Sequence, residues 1–204
     1  MALGDSFTQI KTDIANWLKR DDLTSAIPDF LTLAENRLAR ELRIRPMETA
    51  LSSTISNGVI AVPSGYQALK YAYVDGNPVQ WLERKDAEWI YANYPTRAAQ
   101  SKPAYIAREA DNFIFGPYPD STYTIKGVYY KKLDALSVSN TTNWFTANAP
   151  DLLLFASLCE AEPYLMNDSR TVLWEQKYAA IRDRVQREND SEEFSGSPIA
   201  ATLR

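Results

Sequence analysis

Histidine is absent from this chain of 204 residues, and cysteine occurs once, at Cys159. Those two counts remove Ser-His-Asp and Cys-His nucleophile pairs, histidine-ligated zinc, cysteine clusters, internal disulfides and a histidine pH switch. A single cysteine suits a chain that folds in a reducing cytosol. Glycine is scarce too, at 7 residues, so a phosphate-cradling loop has little raw material. There is no Walker loop, no Gly-x-Gly-x-x-Gly run and no Gly-x-Ser-x-Gly elbow. No apolar run approaches the roughly 18 residues that a membrane-spanning helix needs. Residues 1–13 lack the basic-then-apolar order of a signal peptide. Positive charge is not in excess: 22 Lys and Arg against 26 Asp and Glu leave −4, so no global positive field draws the chain to nucleic acid.

Aromatic residues, by contrast, are plentiful, with 12 Tyr, 7 Phe and 5 Trp. They suit a well-filled core, Tyr-rich strands and interface area. Together with the missing catalytic types, this composition favours a structural or binding protein over an enzyme.

The spacing of apolar residues predicts an α–β–α order. Phe7, Ile10, Ile14, Trp17 and Leu18 recur at helical spacing, with Ser6 placed to cap the N-terminus. A second helix starts near Ile27-Pro28, carries Phe30, Leu31, Ala34, Leu38 and Leu42 on one face, and stops before Pro46. The period then changes. Leu51 to Ile55 and Val59 to Val62 flank Asn57-Gly58, which predicts a β-hairpin. Tyr66 to Val74, Val79 to Leu82, Tyr105 to Arg108, Asn112 to Phe115 and Tyr123 to Lys131 read as further strands, with an isolated helix over Lys85 to Tyr94. Residues 48–133 thus form a small, mainly antiparallel β unit of about six strands.

Helix returns with Leu152 to Cys159, apolar on most faces and so expected to be central and buried, and Pro163 kinks or ends it. Asn167-Asp168-Ser169 caps a last helix bearing Val172, Leu173, Tyr178, Ile181 and Val185. From Asn189 onward the pattern fails, leaving a flexible tail with sparse apolar anchors at Phe194, Ile199 and Leu203. The expected fold is α+β. A helical bundle is built from both chain ends, with residues 1–47 as a helical hairpin and 134–189 completing it. The β unit at 48–133 is inserted between them, and 190–204 form an extended tail.

Few residues in this pattern point to chemistry. Glu160 and Glu162 are two apart and do not face one another on a helix, so they make a poor acid–base pair. Cys159 lies in the most apolar helix with no histidine to activate it, which makes it a buried structural thiol. No catalytic, cofactor-binding or metal-ligating residue is assigned. Arg37, Arg40 and Arg43 recur at three-residue spacing and Arg45 follows, a cationic ridge in an acidic chain. It is either a solvated face with i,i+4 pairs such as Glu41–Arg45, or an interface toward an acidic partner or DNA phosphates.

Ala15-Asn16-Trp17-Leu18-Lys19-Arg20-Asp21-Asp22, followed by Ile27-Pro28-Asp29-Phe30 and Ala34-Glu35-Asn36-Arg37-Leu38, resembles the opening of tailed-bacteriophage head-to-tail adaptor (connector) proteins. Thr142-Asn143-Trp144-Phe145, Ala149-Pro150-Asp151-Leu152 and Glu160-Ala161-Glu162-Pro163-Tyr164-Leu165 are similar to the same family, as is Asp168-Ser169-Arg170 with Trp174 and Tyr178. Residues Pro198 to Arg204 resemble the C-terminus of its tail tubular protein A branch.

The resemblance covers nearly the whole chain. It implies a structural virion protein with no catalysis, metal or cofactor, forming a ring of twelve copies beneath the portal. That ring would join capsid to tail and surround the DNA channel. The implied partners are the portal protein, a tail or nozzle protein and further copies of the chain, with DNA passing without sequence-specific binding and no membrane. The implied location is the virion neck, after assembly in the host cytoplasm, and the C-terminal tail would reach into the portal. An acidic chain suits such a channel, because negative walls repel phosphates. Two alternatives stand beside this reading: another phage neck or tail-completion protein, and a nucleic-acid-binding module using the arginine ridge.

Overall fold

The computed structural model describes residues 3–55, 57–96, 98, 100–165 and 170–193. The chain divides into two compact units: a helical one from Met1–Pro46 and Leu133–Arg204, and a strand unit from Met47–Lys132. The class is α+β, as the pattern predicts.

In the helical unit, α1 (Phe7–Leu18) opens where the Ser6 hydroxyl accepts a hydrogen bond from Gln9 N at 3.3 Å. It closes on Lys19 in the left-handed region, φ 56°. Helix α2 (Ile27–Glu41) has Pro28 and Asp29 in its first turn, where a missing N–H costs nothing and a carboxylate meets the positive helix end. A short helix, α4 (Trp144–Asn148), is set by a reciprocal cap: Asn143 Oδ1 accepts from Phe145 N and Thr146 N, and Asn143 N donates to Thr146 Oγ1 at 3.0 Å. It precedes α5 (Pro150–Leu165) and α6 (Thr171–Glu193).

Helix α5 is the centre of this unit. It packs against α1, α2, α4 and α6, and buries Leu152, Leu153, Leu154, Ala156, Ser157, Leu158, Cys159 and Ala161. A helix apolar on all sides has this one stable place. Pro163 does not end it, since the helix continues to Leu165.

Three expectations about this unit need correction. Trp17 does not enter the core with Ile10 and Ile14 but is 46 % exposed. The buried stripe of α6 is Trp174, Tyr178 and Asn189, which leaves Val172 and Leu173 outside. The helical pattern also does not fail at Asn189: α6 runs on to Glu193. The Asn189 side-chain oxygen accepts from Arg45 N at 2.7 Å, and Gln186 bridges to the backbone of Arg43, so tertiary hydrogen bonds hold a polar stretch helical. The anchors Phe194, Ile199 and Leu203 lie outside the described residues.

The strand unit is two four-stranded sheets. Its strands are β1 (Glu48–Ile55), β2 (Val59–Ala61), β3 (Tyr66–Val74), β4 (Gln80–Trp81), β5 (Glu83–Arg84), β6 (Tyr105–Glu109), β7 (Asn112–Gly116) and β8 (Tyr123–Lys131), with α3 (Ala87–Asn93) between β5 and β6. One sheet runs β1-β8-β3-β4 and the other β2-β7-β6-β5. All pairings are antiparallel except β5 with β6.

Residues from both sheets, among them Leu51, Ile55, Val74 and Ile125 from the first and Ile60, Ile106, Phe113 and Phe115 from the second, form one core cluster. Helix α3 covers the outside of the second sheet through Ile90, Ala107 and Ile114. The Asn57-Gly58 hairpin is not formed. Strand β1 pairs with β8 and β2 with β7, so the turn is a corner that carries the chain from one sheet to the other. Gly58 still needs its freedom there: its φ is +79°, and a Cβ would stand 2.5 Å from the Tyr118 ring.

Candidate protein interaction site

Three-residue spacing on an α-helix drifts by about 60° per step, so arginines at 37, 40 and 43 fan around the helix rather than forming one row. The structure gives each a different neighbourhood. Arg37 turns inward and joins α2 to α5 and α6. Its guanidinium donates to both Glu175 carboxylate oxygens at 2.8 and 2.9 Å, to Glu41 at 3.0 Å and to Glu160 at 3.4 Å, and lies 4.2 Å over the Tyr178 ring. The Tyr178 hydroxyl donates to Glu41 at 2.7 Å, and Arg182 donates to the same oxygen at 2.8 Å. The i,i+4 partner of Glu41 is therefore Arg37.

Arg43 lies beyond the end of α2 and donates to the carbonyls of Ala39, Arg40 and Leu42, capping the helix. Arg40 is exposed and makes no ion pair among the described residues. Arg45 is exposed as well, with a loose 3.7 Å pair to Glu192.

The electrostatics of this cluster are those of a clamp. The hydrogen bond from Arg37 holds the Glu175 carboxyl below its ordinary range. Burial pushes Glu41 up, but hydrogen bonds from Arg182, Tyr178 and Arg37 outweigh it and the net shift is downward. Burial, and then the bond to Glu41, raise the Tyr178 phenol. Burial likewise pushes the Cys159 thiol up to about 12. Acids held ionised by arginines accept protons poorly, and a thiol with so high a pKa supplies little thiolate. Among the described residues no group of three or more His, Cys, Asp or Glu is placed to hold a metal.

A different surface has the character of a contact site, and apolar periodicity alone missed it. Trp17, at the edge of the α1 stripe, meets the Phe155 ring edge-on at 5.4 Å while half of it faces outward. Beside it, Leu173 and Val172 are 54 % and 68 % exposed. Between α1 and the start of α6 is a groove of about 450 Å³ lined by Asn16, Trp17, Lys19, Arg170, Leu173 and Trp174. Arg170 donates to the Trp17 carbonyl at 3.2 Å and stacks 4.9 Å over Trp174. An apolar floor with a cationic rim is typical of a protein contact. The strand unit has its own exposed aromatic group: Trp81, 62 % exposed, packs edge-on against Tyr71 and Tyr73 at 5.6 and 5.5 Å.

The sequence pattern of the SU10 adaptor protein family matches residues 5–201, nearly the whole chain. This chain belongs to the SU10 adaptor protein family. No curated protein matches it. An adaptor protein works by contact, and both surfaces above suit contact better than catalysis. Among the described residues, no helix of this chain is long and apolar enough to cross a membrane.

Proposed function

We propose that this chain is the head-to-tail adaptor of a tailed phage, a structural protein of the virion neck. In this reading twelve copies close into a ring beneath the portal, join the capsid to the tail or nozzle protein, and surround the channel through which DNA passes without being read. The observation that carries the reading is the family match over residues 5–201. The chemistry around it agrees: the Arg37 guanidinium is occupied by glutamates within the chain, and apolar area stands exposed at Trp17, Val172 and Leu173, as the heterologous interfaces of a closed ring require. Assembly takes place in the host cytoplasm.

Of the arginine ridge, Arg40 and Arg45 are the side chains open to a neighbour's carboxylates, while Arg37 and Arg43 position them through the clamp and the helix cap. Phe194, Ile199 and Leu203 are assigned to the portal. The reading of the ridge as a DNA contact loses weight once two of its four cations are spent inside the chain.

The test is to mix the purified chain with its portal protein and measure the mass of the product. A ring-sized complex with one adaptor per portal subunit, and density of the same rotational order in the neck, is expected. A chain that stays apart from both portal and tail proteins would overturn the proposal. Charge reversal of Arg40 and Arg45 to Glu should weaken assembly while the monomer still folds. Unchanged assembly would leave those two as solvated charges.

A further inference from the structure

Free sheet edges invite pairing by other chains, and proteins normally blunt them with short strands, bulges, charges or covering segments. Nearly every edge of the strand unit is treated in this way. Strands β2, β4 and β5, which end the two sheets at three of their four sides, have three, two and two residues. Beyond β4, the outer side of β3 is closed by Leu82 N donating to the Ala72 carbonyl and by the Arg84 guanidinium donating to the Leu69 carbonyl. It is further broken by bulges between Tyr66 and Ala68 and between Leu69 and Tyr71. At β5, Glu83 N and Lys85 N donate to Ala104 and Ile106 as the rungs that join it to β6, so only its two-residue length limits its own outer edge. At β2, Val62 N donates to the Asp111 carbonyl as a continuation of the pairing with β7, so its outer edge is limited by its three-residue length.

Strand β1 is the exception. It is eight residues long, Glu48–Ile55, and pairs with β8 at every position without a bulge. It contains no proline, and its one charge, Glu48, is neutralised by Lys70 at 2.8 Å. Alternate residues of an edge strand point their N–H and C=O groups away from the sheet. Among the described residues, no hydrogen bond reaches that far side. Small side chains flank it: Ala50, Ser52 and Thr54 are exposed on one face, while Leu51 and Ile55 belong to the core on the other.

We propose that β1 is an acceptor edge, and that an extended segment of another virion protein adds to it as a further strand of the β1-β8-β3-β4 sheet. This rests on the adaptor reading, which supplies such a protein. A second copy of this chain fits poorly. Its other strand edges are two or three residues long, and β1 against β1 would make a closed two-fold pair, which a head-to-tail ring cannot use. The incoming strand is specified by what it meets: uncharged small or β-branched residues beside Ala50, Ser52 and Thr54, and apolar ones continuing the layer of Leu51 and Ile55.

The experiment follows backbone hydrogen exchange of residues 48–55 in the full chain alone, in its own assembly, and with the purified portal and tail proteins of the same virion added one at a time. Exchange in this strand should slow by about tenfold or more only in one of the two mixed complexes. Protection already present in the partner-free assembly would make a second copy the occupant and overturn the proposal. A mixed complex that forms with this strand unprotected overturns it as well, while leaving the adaptor reading intact. If neither protein binds, the adaptor reading fails and the proposal falls with it.

A paired variant separates the edge from the sheet face. Ser52→Lys with Thr54→Lys charges the edge, and Thr124→Lys places a charge opposite Thr54 on the interior strand β8. The edge variant should weaken the complex by about tenfold, and the β8 variant by less than about twofold. Equal weakening by both would mean docking on the face and would overturn strand addition.

Discussion

In the helical unit the buried carboxylate of Glu35 accepts from Leu136 N and from the Asn143 side chain, and Arg37 is surrounded by three glutamates and a tyrosine ring. In the strand unit β1 leaves a line of backbone donors and acceptors without partners among the described residues. One unit satisfies its polar groups internally and presents apolar side chains outward, at Trp17, Val172 and Leu173. The other covers its second sheet on both faces, with core on one side and α3 on the other, and offers a backbone edge in addition to its exposed Trp81. The two kinds of surface respond differently to change. A side-chain patch is retuned one substitution at a time, whereas a backbone edge depends on strand geometry more than on residue identity.

The comparison breaks most readily at the centre of the helical unit. Leu154 is 1 % exposed in a helix packed on all sides. Leu154→Ala should cost about 2–5 kcal/mol, the range for emptying a packed site. Chemical denaturation measures it, and a loss below about 1 kcal/mol would show that α5 is not the close-packed centre described here.

The strand unit has a steric counterpart at Gly127 in the middle of β8. A Cβ there would lie 2.3 Å from the Tyr71 carbonyl oxygen and 2.9 Å from Ala72 Cα, both backbone atoms of β3 beside its bulge. Gly127→Ala must push two strands apart and should cost about 1–3 kcal/mol, as overpacking does. Hydrogen exchange should rise first in β3 and β8, and unchanged protection there would refute the close approach.

These two sites also mark what was legible in advance. The Leu152 to Cys159 run announced a central helix because only burial suits an all-apolar surface. Strands β3 and β8 showed their full extents by alternation, and Ser6 showed its cap. Strand partners were not legible. Asn57-Gly58 marks a turn, but the choice between a hairpin and a corner depends on whether β8, some seventy residues away, takes β1. Helix α4 was too short for periodicity, although Asn143 followed three residues later by Thr146 was a readable cap. The arginine ridge looked continuous because residue type carries no direction. Only packing shows that Arg37 faces Glu175 while Arg40 faces out. Trp17 misled for a related reason, since a residue at the margin of an apolar stripe is buried only if a neighbouring helix extends that far.

The clamp sharpens the comparison with a smaller effect. Arg37→Ala removes the shared partner of Glu175, Glu41 and Glu160, and should cost about 1–3 kcal/mol, less than a fully buried network would because Glu175 is partly exposed. The pH dependence has a definite sign. Glu175 and Glu41 have folded pKa values below their ordinary value of 4.5, so their contribution is complete above that pH and is lost as the pH falls through the folded values. The variant should therefore lose stability less steeply between pH 5 and pH 3. Some slope should remain, because Arg182 and Tyr178 still hold Glu41. Parallel acid profiles for the two proteins would mean that Arg37 does not set those carboxylates.

The smallest effect is expected at Cys159, where structural and chemical roles separate. The thiol is buried, and burial pushes its pKa up to about 12. At pH 8 only about one thiol in ten thousand is then ionised, too few for nucleophilic work. Cys159→Ala removes one sulfur and one weak donor and should cost about 1 kcal/mol. Cys159→Ser places a hydroxyl in the same buried site and should cost a similar amount or somewhat more. On the adaptor reading proposed above, neither should change assembly at equal folded concentration. Iodoacetamide should label the native protein far more slowly than the unfolded chain, with the label appearing in step with denaturation. Fast labelling of the native protein, or lost assembly in a fully folded Cys159→Ala variant, would give the thiol a role that its surroundings deny it.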